Sequence, residues 1–101
     1  MARRQLQTLT EPMYYVLLCL KKPLHGYGIM QKIDEVTQGR VKVGPGTLYN
    51  LMDRFVKEDI VQRVETSGKK KTYQLTDKGY ELLDAEIKRL KTLIADGEKM
   101  I

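Results

Sequence analysis

Apolar residues in this chain are grouped in stretches of different period. The first, Met13-Tyr14-Tyr15-Val16-Leu17-Leu18-Cys19-Leu20, is apolar nearly all round. A surface helix carries a single apolar stripe, so this stretch predicts a helix covered on two sides, by its own core and by a second subunit. Thr10-Glu11-Pro12 supplies a threonine cap, an early acid and a proline in the first turn. Lys21-Lys22 suit the far end of that helix, and Pro23 stops it.

Leu24-His25-Gly26-Tyr27-Gly28 reads as a turn into a second helix, whose face is Ile29, Met30, Ile33 and Val36 and whose C-terminal cap is Gly39. Val41-Lys42-Val43 alternates and predicts a very short strand. Gly44-Pro45-Gly46-Thr47 starts a third helix. Leu48, Leu51, Met52, Phe55 and Val56 follow at i, i+3, i+4, i+7 and i+8, the amphipathic template. Gly46, Thr47, Asn50, Asp53, Arg54 and Lys57 take its other face, with Tyr49 on the boundary.

Ile60–Glu65 and Lys71–Leu75 read as two strands, with Ile60 and Val64 on one face of the first and Tyr73 and Leu75 on one face of the second. The segment Thr66-Ser67-Gly68-Lys69-Lys70 between them is a turn with a basic tip. Thr76-Asp77 caps a last helix. Its positions Tyr80, Leu83, Ile87, Leu90, Ile94, Gly97 and Ile101 form a heptad seam, weak at Gly97. Fully helical, residues 76–101 would reach roughly 39 Å at ~1.5 Å per residue, more than the preceding body can cover. The expected fold is mainly α with a small β-hairpin: a winged helix-turn-helix over residues 1–75 and a C-terminal dimerisation helix over 76–101. Met13, Leu17, Tyr80, Leu83, Ile87, Leu90 and Ile94 are the expected dimer interface; packing of the seam on the chain's own first helix is the other reading.

Composition narrows the chemistry. The chain has 101 residues, 18 basic and 13 acidic, for a net charge of +5. Its one cysteine, Cys19, cannot close an internal disulfide or furnish a Cys-rich zinc site. With one histidine, His25, and no phosphate-binding loop, no nucleophile–base pair is in view, so an enzyme is not expected and no metal or cofactor is called for. His25 reads as a turn residue and Cys19 as core. No run approaches the ~18 apolar residues of a membrane span, and the N-terminus lacks the pattern of a signal peptide. A cytoplasmic location is therefore expected, without a membrane partner.

The charge is uneven. Residues 1–75 hold 13 basic and 7 acidic residues, whereas 76–101 hold 5 basic and 6 acidic. A basic body with a near-neutral tail points to a polyanion for the first and another partner for the second. Helix, helix, helix, hairpin is the layout of a winged helix-turn-helix. Its third helix has the width of the major groove, and short polar residues near its start can meet base edges. Thr47, Asn50 and Arg54 suit that task chemically; an ordinary solvated face is the other reading of the same residues. Lys69, Lys70 and Lys71 fit phosphate or minor-groove contacts from the wing, and Lys42 joins the basic set. Asp53 is expected to pair with Lys57, four residues on. Arg3-Arg4 reads either as a phosphate-binding arm or as a frayed terminus.

The segment Pro45-Gly46-Thr47-Leu48-Tyr49-Asn50-Leu51-Met52-Asp53-Arg54-Phe55 resembles the recognition-helix signature of the PadR family of bacterial transcriptional regulators. Leu24-His25-Gly26-Tyr27-Gly28-Ile29 is similar to the start of that family's second helix. Lys57-Glu58-Asp59-Ile60-Val61 and Tyr73-Gln74-Leu75-Thr76-Asp77-Lys78-Gly79 are similar to the stretches flanking its wing. The resemblance spans about residues 10–82. It implies a dimeric winged-helix regulator, mostly a repressor, acting on double-stranded operators with two-fold pseudosymmetry, with the C-terminal helix embracing the partner. It places Gly46, Thr47, Tyr49 and Asn50 at the DNA-facing start of the recognition helix and Lys69 and Lys70 on the wing. Some members release DNA on binding small aromatic molecules near the dimer interface. This chain stops after one C-terminal helix and is similar to the family's short subgroup.

The expected function is thus a homodimeric DNA-binding repressor. A small aromatic effector between the first and last helices, near Tyr14, Tyr15, Leu18, Leu90 and Ile94, is one reading of the all-apolar first helix; a dry, filled dimer interface is the other. A winged helix serving only as a protein-interaction module is the alternative function, and it calls for an apolar or acidic third-helix face, unlike the polar-to-basic one here.

Overall fold

The computed structural model describes residues 8–64 and 71–101. Helix α1 spans Glu11–Leu18. The Thr10 hydroxyl caps it, accepting from the Met13 N–H at 3.3 Å, and a 3-10 turn at Cys19–Lys21 carries the chain on toward Pro23. Strand β1 is Leu24–His25, followed by α2 at Gly26–Thr37 and α3 at Pro45–Lys57. Strands β2, Val61–Val64, and β3, Thr72–Leu75, lead into α4, Asp77–Met100. The tip of the predicted hairpin, including Lys69 and Lys70, lies outside the described residues, as do Arg3 and Arg4.

The sheet is antiparallel in the order β1-β3-β2. Residue pairs run Val61 to Leu75 through Val64 to Thr72 on one side of β3 and Leu24 to Tyr73 on the other. This corrects two expectations. Leu24-His25 is a strand and not only a turn, because the inner edge of the hairpin offers β3 a second neighbour. Val41-Lys42-Val43 is not a strand. Its alternation is real, since Val41 and Val43 are buried and Lys42 is exposed, but the backbone there is tied to a side chain. The buried Thr37 hydroxyl donates to the Ile33 carbonyl at 2.7 Å and accepts from the Val41 N–H at 3.1 Å.

The core is one cluster. Val16, Leu17 and Leu20 meet Ile29 and Ile33 of α2, Leu48, Met52 and Phe55 of α3, Val61, Tyr73 and Leu75 of the sheet, and Leu83 of α4. The 3.6-residue reading of α3 holds for Leu48, Met52 and Phe55, while Val56 is on the exposed side of its boundary. On α2 the apolar face is displaced: Val36 is 63% exposed, and Thr37 takes the buried place beside Ile33. Glycine does not end α2 alone. Gln38 (φ 52°) and Gly39 (φ 78°) are both left-handed, and the Gly39 N–H reaches back to the Asp34 carbonyl at 2.9 Å.

Thr76 joins α4 to the sheet. Its hydroxyl accepts from the Gly79 N–H at 3.0 Å and donates to the Asp59 carbonyl at 2.7 Å, and its N–H donates to the Ile60 carbonyl at 3.0 Å. Gly79 is buried against that same carbonyl, where a Cβ would overlap the oxygen. Farther along α4, the Glu86 carboxylate is buried, 3% exposed. It accepts two hydrogen bonds from Arg89, at 2.7 and 2.8 Å, and one from the Leu9 N–H at 3.2 Å. Beyond Leu90 every residue of α4 is exposed.

Of the expected seam, Leu17, Leu83 and Met13 are in the core of the single chain. Helix α4 first packs on α1 and the sheet and only then leaves the body. Leu93 (52% exposed) and Ile94 (60%) are the apolar residues on its free part nearest the body.

Candidate nucleic-acid interface

Helix α3 begins without a side-chain cap. Gly44 is its N-cap and Pro45 its first residue, so the free N–H groups of its first turn have no side-chain acceptor. Nothing lies within 4 Å of where a Cβ on Gly44 or Gly46 would be. The first turn is therefore open to close approach from outside. Thr47, Asn50 and Arg54 follow on one exposed face, spaced by three and four residues as a helical stripe requires. The opposite face, Leu48, Met52 and Phe55, is fixed in the core, which sets the outward direction of the polar one.

Tyr49 faces neither side squarely. Its hydroxyl lies against Gly26, the first residue of α2, and its ring Cζ is 2.9 Å from where a Cβ on Gly26 would stand. The absence of a side chain at Gly26 lets the starts of α2 and α3 come together. Under them is the Tyr73 ring, whose phenol is pushed above its ordinary pKa by burial, with Arg63 opposing and Tyr49 and Asp53 adding to the rise.

The cations are placed differently from expectation. Arg54 Nε donates to Glu58 Oε2 at 3.0 Å. This is the i,i+4 ion pair of α3, in place of the expected Asp53–Lys57 pair. Lys42 is exposed but pairs with Asp34 of α2 at 2.8 Å. Lys71 is exposed just before β3. Sequence reasoning missed Arg63, exposed on β2 opposite Tyr73, and Tyr27, 61% exposed in the first turn of α2 and within 3.4 Å of the Gln31 amide. The polar alternation of Gln62-Arg63 carried a signal for the first. An apolar-pattern search gives no weight to a solvent-facing tyrosine.

The expected effector residues lie on two elements, Tyr14, Tyr15 and Leu18 on α1 and Leu90 and Ile94 on α4. Tyr14 and Tyr15 stack edge to face, 5.6 Å apart. Tyr15 and Leu18 line a cavity of about 110 Å³ together with Cys19, Lys32, Ile33 and Val36, between α1 and α2. Leu90 and Ile94 do not line it. Burial pushes the Cys19 thiol up to about 11, with Lys32 opposing. At one edge Arg40 reaches the Tyr15 hydroxyl at 3.2 Å and Glu11 at 3.5 Å. Among the described residues no group of His, Cys, Asp and Glu is arranged to hold a metal ion, and no helix is long and apolar enough to cross a membrane.

Comparison with known proteins places this arrangement in a family. The family model for the transcriptional regulator PadR-like family matches residues 16–85. The fold is similar to a PadR-like transcription factor from Bacteroides fragilis, with a TM-score of 0.73, 30% identity and 89% of each chain covered. It is also similar in fold to Bacillus subtilis PadR, solved in complex with operator DNA (TM-score 0.63, 24% identity, 73% of this chain and 45% of that one). A 37.1 kDa protein of transposon TN4556 from Streptomyces fradiae is 39% identical over 64 residues, 63% of this chain, and the chain spans 18% of that protein's length. With the model matching well over half of its residues across α1 to α4, the chain belongs to the PadR-like family of transcriptional regulators, a family of regulators and not of enzymes.

Proposed function

We propose that the chain binds double-stranded DNA in a sequence-specific manner, as a homodimer that represses transcription from an operator with two-fold pseudosymmetry. The observation that carries this reading is the start of α3. Its first turn is uncapped and sterically open, and Thr47 and Asn50 extend an exposed polar face from it. Free N–H groups there attract phosphate, and the side chains match base edges in the major groove. The Bacillus subtilis PadR of similar fold was solved with operator DNA, which supports the assignment.

In this reading Gly46, Thr47, Tyr49 and Asn50 face the groove. Arg54 and Lys42 strengthen the basic border, and Lys69, Lys70 and Lys71 meet phosphates from the wing. Residues 1–75 read DNA and 76–101 join two copies, with Tyr80, Ile87, Leu90 and Ile94, together with Leu93, as the pairing surface. The exposed apolar residues on the free part of α4 support that division. In this reading a small apolar effector is taken up at the α1–α2 cavity, against Tyr15 and Leu18.

Footprinting on DNA upstream of the protein's own gene tests the reading. A protected inverted repeat with half-sites about 34–36 Å apart is expected. Affinity for duplex DNA should fall with salt at a log–log slope of about −0.9 for each phosphate neutralised. A slope near zero would overturn DNA binding.

A further inference from the structure

Arg54 is not a free cation on the recognition face. Its Nε is held at 3.0 Å by Glu58 Oε2, and Glu58 is itself fixed. It is the C-cap of α3, its N–H donating to the Arg54 carbonyl at 3.0 Å. Its own carbonyl accepts from Lys78 Nζ of α4 at 2.9 Å. The Glu58 side chain is half-buried, and its second oxygen, Oε1, is buried without a hydrogen-bond partner among the described residues. With its backbone held on both sides and its Oε1 buried, the carboxylate stays against the body. It sets the orientation of the guanidinium by its Nε edge and leaves the Nη1 and Nη2 edge for an acceptor outside.

We infer that Glu58 is a specificity-setting positioning residue for DNA recognition: by holding Arg54 at Nε it presents a fixed Nη fork to one acceptor, and its negative charge lowers affinity for DNA of arbitrary sequence. This rests on the DNA-binding reading above. Two effects follow from one contact. A guanidinium held by one edge has lost most of its rotamer freedom before binding, so a correctly placed guanine edge or phosphate gains at small entropic cost. An acceptor in any other position meets a guanidinium already neutralised by Glu58, so the long-range attraction to the phosphate backbone is reduced. An unrestrained arginine would do the reverse, binding many sequences more tightly and distinguishing them less.

The test uses the full chain and two duplexes: one enriched by the wild-type protein from a random-sequence library, and a scrambled version of it. Glu58→Gln should bind the scrambled duplex about three- to tenfold more tightly, with a salt slope steeper by about 0.9. The ratio of enriched to scrambled affinity should fall about tenfold, the size expected for one side-chain contact. Glu58→Ala, which leaves no amide in the buried Oε1 position, should give the same pattern. In an Arg54→Ala background Glu58→Gln should leave the ratio unchanged, an outcome that a general structural role for Glu58 would not produce. An unaltered ratio in Glu58→Gln and Glu58→Ala, or a fall that persists without Arg54, overturns the inference. A wild-type protein that enriches no sequence and shows no salt dependence instead overturns the DNA-binding reading on which it rests.

Discussion

The hydroxyl of Tyr49 rests against the backbone of Gly26, so the starts of α2 and α3 touch through a residue with no side chain and a ring on the edge of the recognition face. The atoms a Cβ would meet there are the far end of a side chain that is itself exposed. The ring can therefore swing away, and outward is the direction open to it.

Gly26→Ala should therefore cost little folding stability, within about 1 kcal/mol of wild type, since alanine is also the better helix former. It should weaken DNA binding about tenfold, the effect of a displaced side chain at one base step. Urea melts and binding isotherms of the same samples separate the two. In a Tyr49→Ala background the Gly26→Ala change should have almost no further effect on binding. Additive losses would show that the two residues act apart.

Gly79 is the contrasting case. A Cβ there would overlap the Ile60 carbonyl, which is backbone already bonded to Thr76. Nothing at that point can rotate out of the way. Gly79→Ala should destabilise the fold by about 1–3 kcal/mol, as overpacking a closed site does. Its denaturation midpoint should drop with no change in m-value.

Gly46 separates folding from function in the other direction. It is a helical position with open space around it. Gly46→Ala should raise stability by about 0.5–1 kcal/mol through loss of unfolded-state freedom. The added methyl should meanwhile hold the backbone off a phosphate or base edge and weaken binding. A variant with a higher midpoint and undiminished affinity would exclude close backbone approach at this turn.

The elements were legible in the sequence wherever one face is buried and the other wet. Leu48, Met52 and Phe55 announced α3, and Thr10 and Thr76 announced the caps of α1 and α4. Failures came where a polar group replaced an apolar one. Thr37 satisfies its own hydroxyl by bonding back to Ile33, so it sits in the core in place of Val36, and no hydropathy pattern registers that. Strand β1 was missed because a two-residue strand exists only through its neighbour, Tyr73. On the interface, Thr47 and Asn50 could be placed from period alone. The Arg54–Glu58 pair could not be preferred over Asp53–Lys57, because both have the same i,i+4 spacing.

Glu86 makes stability depend on acid. The hydrogen bonds from Arg89 hold its carboxyl below the ordinary carboxylate range, with the Leu9 N–H helping and burial opposing. A carboxylate depressed in the folded state contributes stability that is complete above its unfolded pKa, near ~4.3. That contribution is lost as pH falls through the lower folded value. Melting temperatures of wild type and Glu86→Gln should therefore differ at pH 7, and the difference should shrink steadily as pH falls below about 4. A constant difference across that range would mean that Glu86 acts through packing only.

Arg54 and Arg89 are both held by glutamates, at i+4 and i−3 respectively, yet they should behave differently. Arg54 shares a face with Thr47 and Asn50, whereas Arg89 lies on α4 against the buried Glu86. Arg54→Ala should leave the fold almost intact, because the ion pair lies at the surface with the arginine half exposed, and should weaken DNA binding by about tenfold while reducing the salt slope by about 0.9. Arg89→Ala removes the main partner of a carboxylate that is almost wholly buried, so it should lower the melting temperature. Corrected for the fraction folded, its affinity and salt slope should stay at the wild-type values. Equal losses of affinity for the two variants, measured at a temperature where both are fully folded, would argue that the DNA-binding face is not the exposed stripe of α3.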